Sequence, residues 1–201
     1  MHLNIPLSTT SKHKTFISFH HADDEKRHKF EKEFSQQFDG FVSRSVQDGD
    51  IDPNKKTDDI RRIIREKFIK DATVTVVLIG QGTWRRKHVD WEIASSIRNT
   101  KNNPRTGLIG ILLPSYSASG SSLKKTVDGR KFYNPHTIPP RLYDNVECGF
   151  AKIYSWPRSG DELRQWIHDA YLKRDDKTCL PTNRRDSFAS NRSEFQKQWQ
   201  P

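Results

Sequence analysis

Short apolar runs rich in β-branched residues recur along the chain and are separated by amphipathic stretches. Runs of this kind, bounded by Gly, Pro, Asn and Asp, are typical of strands. The run ATVTVVLIG is apolar on both faces, as expected for the centre of a parallel sheet. The predicted strands cover residues 15–19, 41–46, 72–80, 107–114 and 151–156.

Four amphipathic stretches between or after these runs predict helices. The first begins at acids that suit a helix N-terminus and ends at Gly40, the second follows an expected N-cap at Thr57, the third extends to about residue 99, and the fourth covers 159–173. Apolar residues at helical spacing mark the first three, namely Phe30, Phe34 and Phe38, then Ile60, Ile64 and Phe68, and then Val89, Ile93 and Ile97.

The alternation of strands and helices predicts an α/β fold with a central parallel sheet of about five strands and helices on both faces. Right-handed crossovers place the loops that follow the strands at one edge of such a sheet, where ligands bind near a topological switch point. Three loops are therefore expected to meet at this edge, those that follow Phe19, Val46 and Gly80.

The predicted domain covers residues 14–172, between an N-terminal extension at 1–13 and a C-terminal tail at 173–201. Clusters of Ser, Gly, Pro and Asn make 115–147 a long functional loop or a partly ordered insertion in this interpretation. The tail has few apolar residues and many charges, so it is expected either to dock on the domain or to stay mobile.

Composition narrows the class of protein. A net charge of +10 fits a polyanionic partner or a phosphate-bearing ligand and does not choose between them. Cys148 and Cys179 form no C-x-x-C pair, and no secretory apolar segment is seen at the start, which favours a reducing cytoplasm over a disulfide framework. No run approaches the roughly 20 apolar residues that cross a bilayer, so membrane insertion is not expected.

The first loop brings together a hydroxyl, an aromatic ring and two imidazoles in the order Ser18, Phe19, His20 and His21. These groups can meet a nucleotide at the sheet edge. The alternative, which residue type leaves open, is that Phe19 packs in the core and the histidines are solvated.

The second loop contains Asp48, Lys55 and Lys56 ahead of the second predicted helix. Two lysines beside the free N–H groups of a helix N-terminus can hold phosphate. Without a glycine-rich cradle, a pair of solvated surface lysines is the competing interpretation. Calcium is not expected, since the loop lacks the bidentate Glu at its twelfth position.

The third loop leads into WRRKHVDWEI, residues 84–93. His88 lies one helical turn before Glu92, and Trp84 and Trp91 are candidates to flank the same mouth. A carboxylate at a strand-edge cleft can hydrogen-bond ribose hydroxyls or stabilise an oxocarbenium-like cation, while aromatic faces hold a flat base. The alternative is an ordinary surface ion pair of Glu92 with a neighbouring cation.

Other enzyme signatures are missing from the sequence. It has no Walker A loop, no G-x-G-x-x-G, no G-x-S-x-G and no H-E-x-x-H motif. The eight histidines are scattered, and the pair His20 and His21 has no second cluster at metal-ligand spacing. No metal and no bound cofactor are therefore expected.

TFISFHHAD, followed by TVVLIG and an aromatic-acid helix, resembles the TIR domain over about residues 14–172. More narrowly, SFHHADD, DPNKKTDDI, VTVVLIGQGTWRRKHVDWEI and LIGILLP together are similar to the TIR-like branch typified by the ThsB subunit of bacterial Thoeris anti-phage systems. The resemblance implies a flavodoxin-like fold, cleavage of NAD⁺ to nicotinamide, and an ADP-ribose-derived signal, cyclic in the expected form, that activates a separate effector.

The resemblance also assigns roles to residues. Glu92 falls at the catalytic glutamate, and His88 stands where the family often has Trp. The predicted substrate-binding residues are Ser18, Phe19, His20, His21, Asp48, Lys55, Lys56, Trp84 and His88.

A second class of function stays open. Many TIR domains are non-catalytic modules, and here the second loop and helix are the candidate surface for self-assembly or for a partner, which includes a phage-derived activator. Nucleic-acid binding is not expected, because the cations are dispersed along the chain and form no recognisable motif.

Overall fold

The computed structural model describes residues 10–42, 45–47, 49–52, 54–116, 125–127 and 130–193. Its strands are β1 Thr15–Ser18, β2 Phe41–Val42, β3 Val74–Ile79, β4 Gly107–Leu112, β5 Lys125–Val127, β6 Arg130–Tyr133 and β7 Lys152–Tyr154. Five of them form a parallel sheet in the order β2-β1-β3-β4-β7, and β5 pairs with β6 in a separate antiparallel hairpin. The predicted α/β fold with a central parallel sheet of about five strands is confirmed.

Five helices cover the sheet in two layers. They are α1 Asp24–Phe34, α2 Thr57–Lys67, α3 Lys87–Ser96, α4 Pro140–Glu147 and α5 Gly160–Lys173. The apolar residues of α1 and α5 pack on one face, and those of α2, α3 and α4 pack on the other. The result is a three-layer sandwich, which is the flavodoxin-like arrangement.

The central strand β3 is apolar at every position except Thr75, whose buried hydroxyl is hydrogen-bonded to that of Thr106. Val74, Val76 and Leu78 point to the layer of α1 and α5, whereas Val77 and Ile79 point to the layer of α3 and α4. Successive side chains of a strand face opposite sides of a sheet, so a strand covered on both faces has apolar residues on both of them.

Helix α5 lies directly against β4, and Gly107 makes this approach possible. A Cβ atom placed on Gly107 would lie 2.1 Å from the carbonyl oxygen of Ala170. At its start, Ser159 caps α5, because its hydroxyl accepts a hydrogen bond of 3.2 Å from the N–H of Glu162. The fourth predicted helix is therefore present with its cap.

Two details of the second strand and helix differ from the sequence prediction. The predicted strand at 41–46 is β2 Phe41–Val42, and Val46 lies outside it because its N–H donates to a carboxylate instead of to a neighbouring strand. Thr57 is the first residue of α2, not its N-cap, and the capping position belongs to Lys56, which makes no side-chain cap bond.

The segment 115–147 was predicted as a long functional loop or a partly ordered insertion; its described C-terminal part is not an irregular loop, and the insertion stays a prediction. This part contains β6, a 3₁₀ turn at Pro135–Thr137 and α4, whose Leu142 is buried in the core. Two of the three prolines in this segment, Pro139 and Pro140, stand at the N-terminus of α4, where a residue without an N–H is tolerated.

Within the described part of the tail, residues 174–193 dock on α3 and α4. Arg141 lies between Asp90 and this segment and donates hydrogen bonds to Asn183 and to the carbonyl of Asp186. Phe188 is buried, and its carbonyl accepts a hydrogen bond of 2.8 Å from the indole N–H of Trp91. Across the described chain, every helix is too short or too polar to cross a bilayer.

Candidate active site

The strand order reverses between β1 and β3, and the carboxyl ends of these two strands meet at one edge of the sheet. Ser18 is the last residue of β1, and α3 follows β3 after a short 3₁₀ turn. This geometry places the first loop and α3 side by side at the topological switch point, where sheets of this order bind ligands.

Glu92 lies at the centre of this edge and is completely buried. Its Oε2 accepts a hydrogen bond of 2.6 Å from the hydroxyl of Ser18, and its Oε1 accepts bonds from the hydroxyl of Ser45 at 2.5 Å and from the N–H of Val46 at 2.6 Å. The surface ion pair considered from the sequence is wrong, because Glu92 is enclosed by donors from β1 and from residues 45–47. We call residues 45–47 the covering segment.

Burial raises the pKa of Glu92 from 4.5 to about 7, against the hydrogen bonds from Ser18, Ser45 and Val46, which lower it. A carboxylate taken out of water loses its hydration, and three donors restore only part of it. Glu92 therefore changes its charge near neutral pH, in the range where general acids, general bases and electrostatic stabilisers work.

A cavity of about 360 Å³ opens next to the covering segment. Its lining includes Phe19, His20, His21, Val46, Gln47, Arg86, His88, Val89 and Asn191. Glu92 is not among the lining residues, because Val46 lies between its carboxylate and the cavity. The cavity and the buried acid are thus adjacent compartments that the covering segment separates.

Four of the substrate-binding candidates line this cavity, namely Phe19, His20, His21 and His88. Phe19 is also part of the core, as its alternative interpretation stated, and the guanidinium of Arg27 lies over its ring. Burial, with the charges of Arg86, Arg85 and His21, lowers the pKa of His20 to about 4. His20 is therefore neutral at pH 7 and offers one donor and one acceptor.

The other candidates lie elsewhere. Lys55 and Lys56 are exposed and do not line the cavity, and Asp48 lies outside the described residues. Trp84 packs against the core cluster beneath α3 and α4. Trp91, the other proposed flank of the mouth, is buried in a cluster with Phe16 and residues of α2, because it points to a different side of α3 from Glu92.

Sequence reasoning missed the covering segment and two further residues of the mouth. Ser45 and Val46 were hidden because the alternating pattern at 41–46 resembles a strand. Arg86 lines the cavity, and its one signal in the sequence was the cationic cluster before α3. Asn191 arrives from the tail, where its side-chain oxygen accepts a hydrogen bond of 3.0 Å from the N–H of Lys87.

A parallel sheet of order β2-β1-β3-β4-β7, with a buried glutamate at its switch point held by a serine at the end of β1, defines a TIR-like domain. The family model of the Thoeris protein ThsB, TIR-like domain, matches residues 16–118, just over half of the chain. The chain belongs to this family, and the predicted resemblance is confirmed. It is a defence-related TIR domain. A comparison with curated proteins found no match.

Within the described chain, no three His, Cys, Asp or Glu side chains are grouped so that they could hold a metal ion. The chemistry that the site offers comes from one carboxylate, neutral His20, the ring of His88 and the guanidinium of Arg86. These groups can donate hydrogen bonds to an anion and can stack against a flat ring.

Proposed function

We propose that this protein cleaves NAD⁺ at the nicotinamide N-glycosidic bond and releases an ADP-ribose-derived signal, cyclic in form, for a separate effector in antiviral defence. The observation that supports this most is the environment of Glu92, a buried carboxylate at the switch point whose pKa is raised to about 7. A carboxylate with a purely structural role would stabilise the fold more if it had an ordinary pKa or a cationic partner. In the described chain Glu92 has neither.

The reaction needs positive charge to be stabilised at C1′ of the nicotinamide ribose. The bond between C1′ and the pyridinium nitrogen breaks, and its electron pair neutralises the leaving nicotinamide. Water, or a nucleophile of the same molecule in the cyclic case, then bonds to C1′ and gives its proton to a base. Ionised Glu92 can hold a ribose hydroxyl and face the cation that develops, where low polarity strengthens the attraction.

The cavity residues suit the rest of the dinucleotide. Arg86 at the mouth can pair with the pyrophosphate, because a guanidinium matches phosphate oxygens with two parallel hydrogen bonds. His88 lines the same cavity and offers a ring on which a base can stack, although its own ring already meets Trp91 edge to face, with centroids 5.3 Å apart.

Substrate can reach Glu92 only if the covering segment moves. The segment is tied to the carboxylate by the hydroxyl of Ser45 and the N–H of Val46, so displacing it frees both oxygens for ribose hydroxyls. Ser18 remains as the fixed donor, since it belongs to the sheet. We propose that an activating cue, such as self-assembly or a phage-derived activator, supplies this opening.

Nicotinamide release from NAD⁺, measured by chromatography with and without phage-infected extract, tests the proposal. Release by the wild type and a loss of roughly 100-fold or more for Glu92→Gln are expected, on the scale of removing one electrostatic stabiliser. Glu25→Gln, on an exposed side chain of α1, is the matched control and should keep full activity. If Glu92→Gln releases nicotinamide as fast as the control, the assigned role is wrong.

A second candidate is a non-catalytic TIR interaction module. The complete enclosure of Glu92, with three hydrogen bonds and no exposure to the cavity, favours it, because the acid then fixes residues 45–47 in one conformation. In this case Glu92→Gln would alter self-association, measured by light scattering, while NAD⁺ stays intact under every trigger.

A further inference from the structure

A second cavity, of about 470 Å³, lies between α2 and the C-terminal end of α3 with the residues that follow it. Arg61, Arg62 and Arg65 extend from α2, and Arg98 and Lys101 approach from the other wall. Residues four apart on a helix share one face, so Arg61 and Arg65 lie on the same side of α2. We call this cavity the arginine groove.

Arg65 is the unusual member of the arginine groove, since it is only 8% exposed. Its Nη2 donates to the carbonyl of Pro104, but its Nε and Nη1 are buried and make no hydrogen bond within the described chain. Buried polar groups are almost always satisfied, and an unsatisfied charged donor is costly. Arg65 therefore lines the groove as a permanent cation with two buried donors that lack an acceptor in the described chain.

The surroundings of Arg65 also disfavour its positive charge. Burial, and then the charge of Arg174, lowers the pKa of Arg65, with Asp71 acting in the opposite direction. The Nε of Arg61 is also buried without a hydrogen bond in the described residues, and burial together with Arg141 lowers the pKa of Arg61. Both cations thus lie where an added negative charge would relieve the cost of their burial.

Three carboxylates line the groove as well, but they already have partners at its rim. Asp58 contacts Arg98 at 3.0 Å and Arg61 at 3.7 Å, and Asp59 and Glu66 contact Arg62 at 3.4 and 3.5 Å. Their side chains are all about half exposed or more, so they balance the outer cations and leave Arg65 unneutralised. Of the cations that line the groove, Arg65 and Arg61 are those with buried donors that lack an acceptor in the described chain.

We infer that the arginine groove binds a small phosphate-bearing molecule, whose phosphate or diphosphate accepts hydrogen bonds from the buried guanidinium of Arg65 and from Arg61. The cavity volume is within the usual range of small-molecule sites and admits more than a bare phosphate. Asn102 and Asn103 line the same groove and offer amide donors and acceptors for a sugar or a base. This site is separate from the cavity near His20 and Arg86 and does not depend on NAD⁺ cleavage.

Binding of inorganic pyrophosphate to the full chain, followed by ³¹P NMR line broadening and by thermal shift, tests the inference. Saturable binding tighter than roughly 1 mM is expected. Arg65→Gln should weaken it by roughly 10-fold or more, the scale of a charge-assisted hydrogen bond. Arg158→Gln removes the same charge at an exposed site and should change binding by less than about twofold.

Two further measurements locate the binding site and identify the kind of ligand. Amide hydrogen exchange with pyrophosphate bound should slow in α2 and at 98–103. Parallel titrations with inorganic phosphate and AMP identify the source, a nucleotide if AMP binds more tightly and a free phosphate if the two are equal. If Arg65→Gln does not fold, Arg65→Lys keeps the charge but loses the planar fork and should bind more weakly than wild type.

Three results would overturn the inference. They are an absence of saturable pyrophosphate binding to the wild type, unchanged binding by the folded Arg65 variants, and protection confined to the cavity near His20 and Arg86. None of these depends on nicotinamide release, so failure of the arginine groove and failure of the proposed enzymatic function are separate outcomes.

Discussion

The ionisation of Glu92 predicts a specific dependence of stability on pH. Its pKa is raised from 4.5 in an unfolded chain to about 7 by burial, so between these values the folded protein binds more protons than the unfolded chain. Stability from this group is therefore fully retained below pH 4.5 and falls as pH rises through 7. At about 1.4 kcal/mol per pH unit, the difference corresponds to about 3 kcal/mol.

Glu92→Gln should remove this loss of stability at high pH and keep the local hydrogen bonds. The carboxamide oxygen can accept from Ser45 and Val46, and the NH₂ group can donate to the hydroxyl of Ser18, so all three pairs persist without a charge. At pH 5 the variant and the wild type should differ by less than about 1 kcal/mol. At pH 8.5 the variant should be more stable by up to about 3 kcal/mol, or roughly 6 to 12 °C in Tm.

Urea denaturation of both proteins from pH 5 to 8.5 measures the difference directly, with Glu25→Gln as the control that should follow the wild type. The covering segment limits the size of this stability difference. An ionised Glu92 can regain water if residues 45–47 are displaced, so the difference cannot exceed the free energy of that local opening. A difference that does not change with pH, or one that favours the wild type as pH rises, would refute the assignment of a raised pKa.

Other changes test the packing around the site. Ser45→Ala removes one donor to the acid, so amide exchange in the covering segment should accelerate by roughly 10-fold or more; an unchanged rate would show that the hydroxyl does not hold it. Asp90→Ala leaves Arg141 buried without its partner and should lower the free energy of unfolding by about 3–5 kcal/mol in urea titrations, more than a surface pair would. Gly107→Ala places a Cβ atom against the backbone of α5 and should lower the free energy of unfolding by about 1–3 kcal/mol. Gly82→Ala, where the nearest neighbour of the added Cβ is at 3.5 Å, should change this free energy little. Equal effects of the two substitutions would contradict the close approach of α5.

The pairing of Asp90 with Arg141 explains why the tail docks. The two side chains are 2% and 1% exposed, and Asp90 also accepts a hydrogen bond of 3.0 Å from the N–H of Phe188. A residue of α3, a residue of α4 and the described tail thus share one buried network. Sequence alone showed Asp90 as one more charge in a cationic stretch, because its partners are 51 and 98 residues away.

The sequence by itself determined the elements whose information is local. The β-branched run at 72–80 predicts a strand covered on both faces, and Val89, Ile93 and Ile97 place α3 behind it, because strand and helix periodicities are properties of neighbouring residues. Together they bring Glu92 to the correct edge of the sheet. The family resemblance supplied the role of the acid, which periodicity does not contain.

Only the tertiary structure decided how the site is enclosed. That Glu92 is buried beneath residues 45–47, that Asn191 of the tail borders the cavity, and that Arg65 faces a groove with two unsatisfied donors all depend on contacts between segments distant in the chain. Burial and its effect on charge are set by everything that surrounds a side chain in space. A linear pattern of residues records none of that surrounding, so these features could be found only in the folded chain.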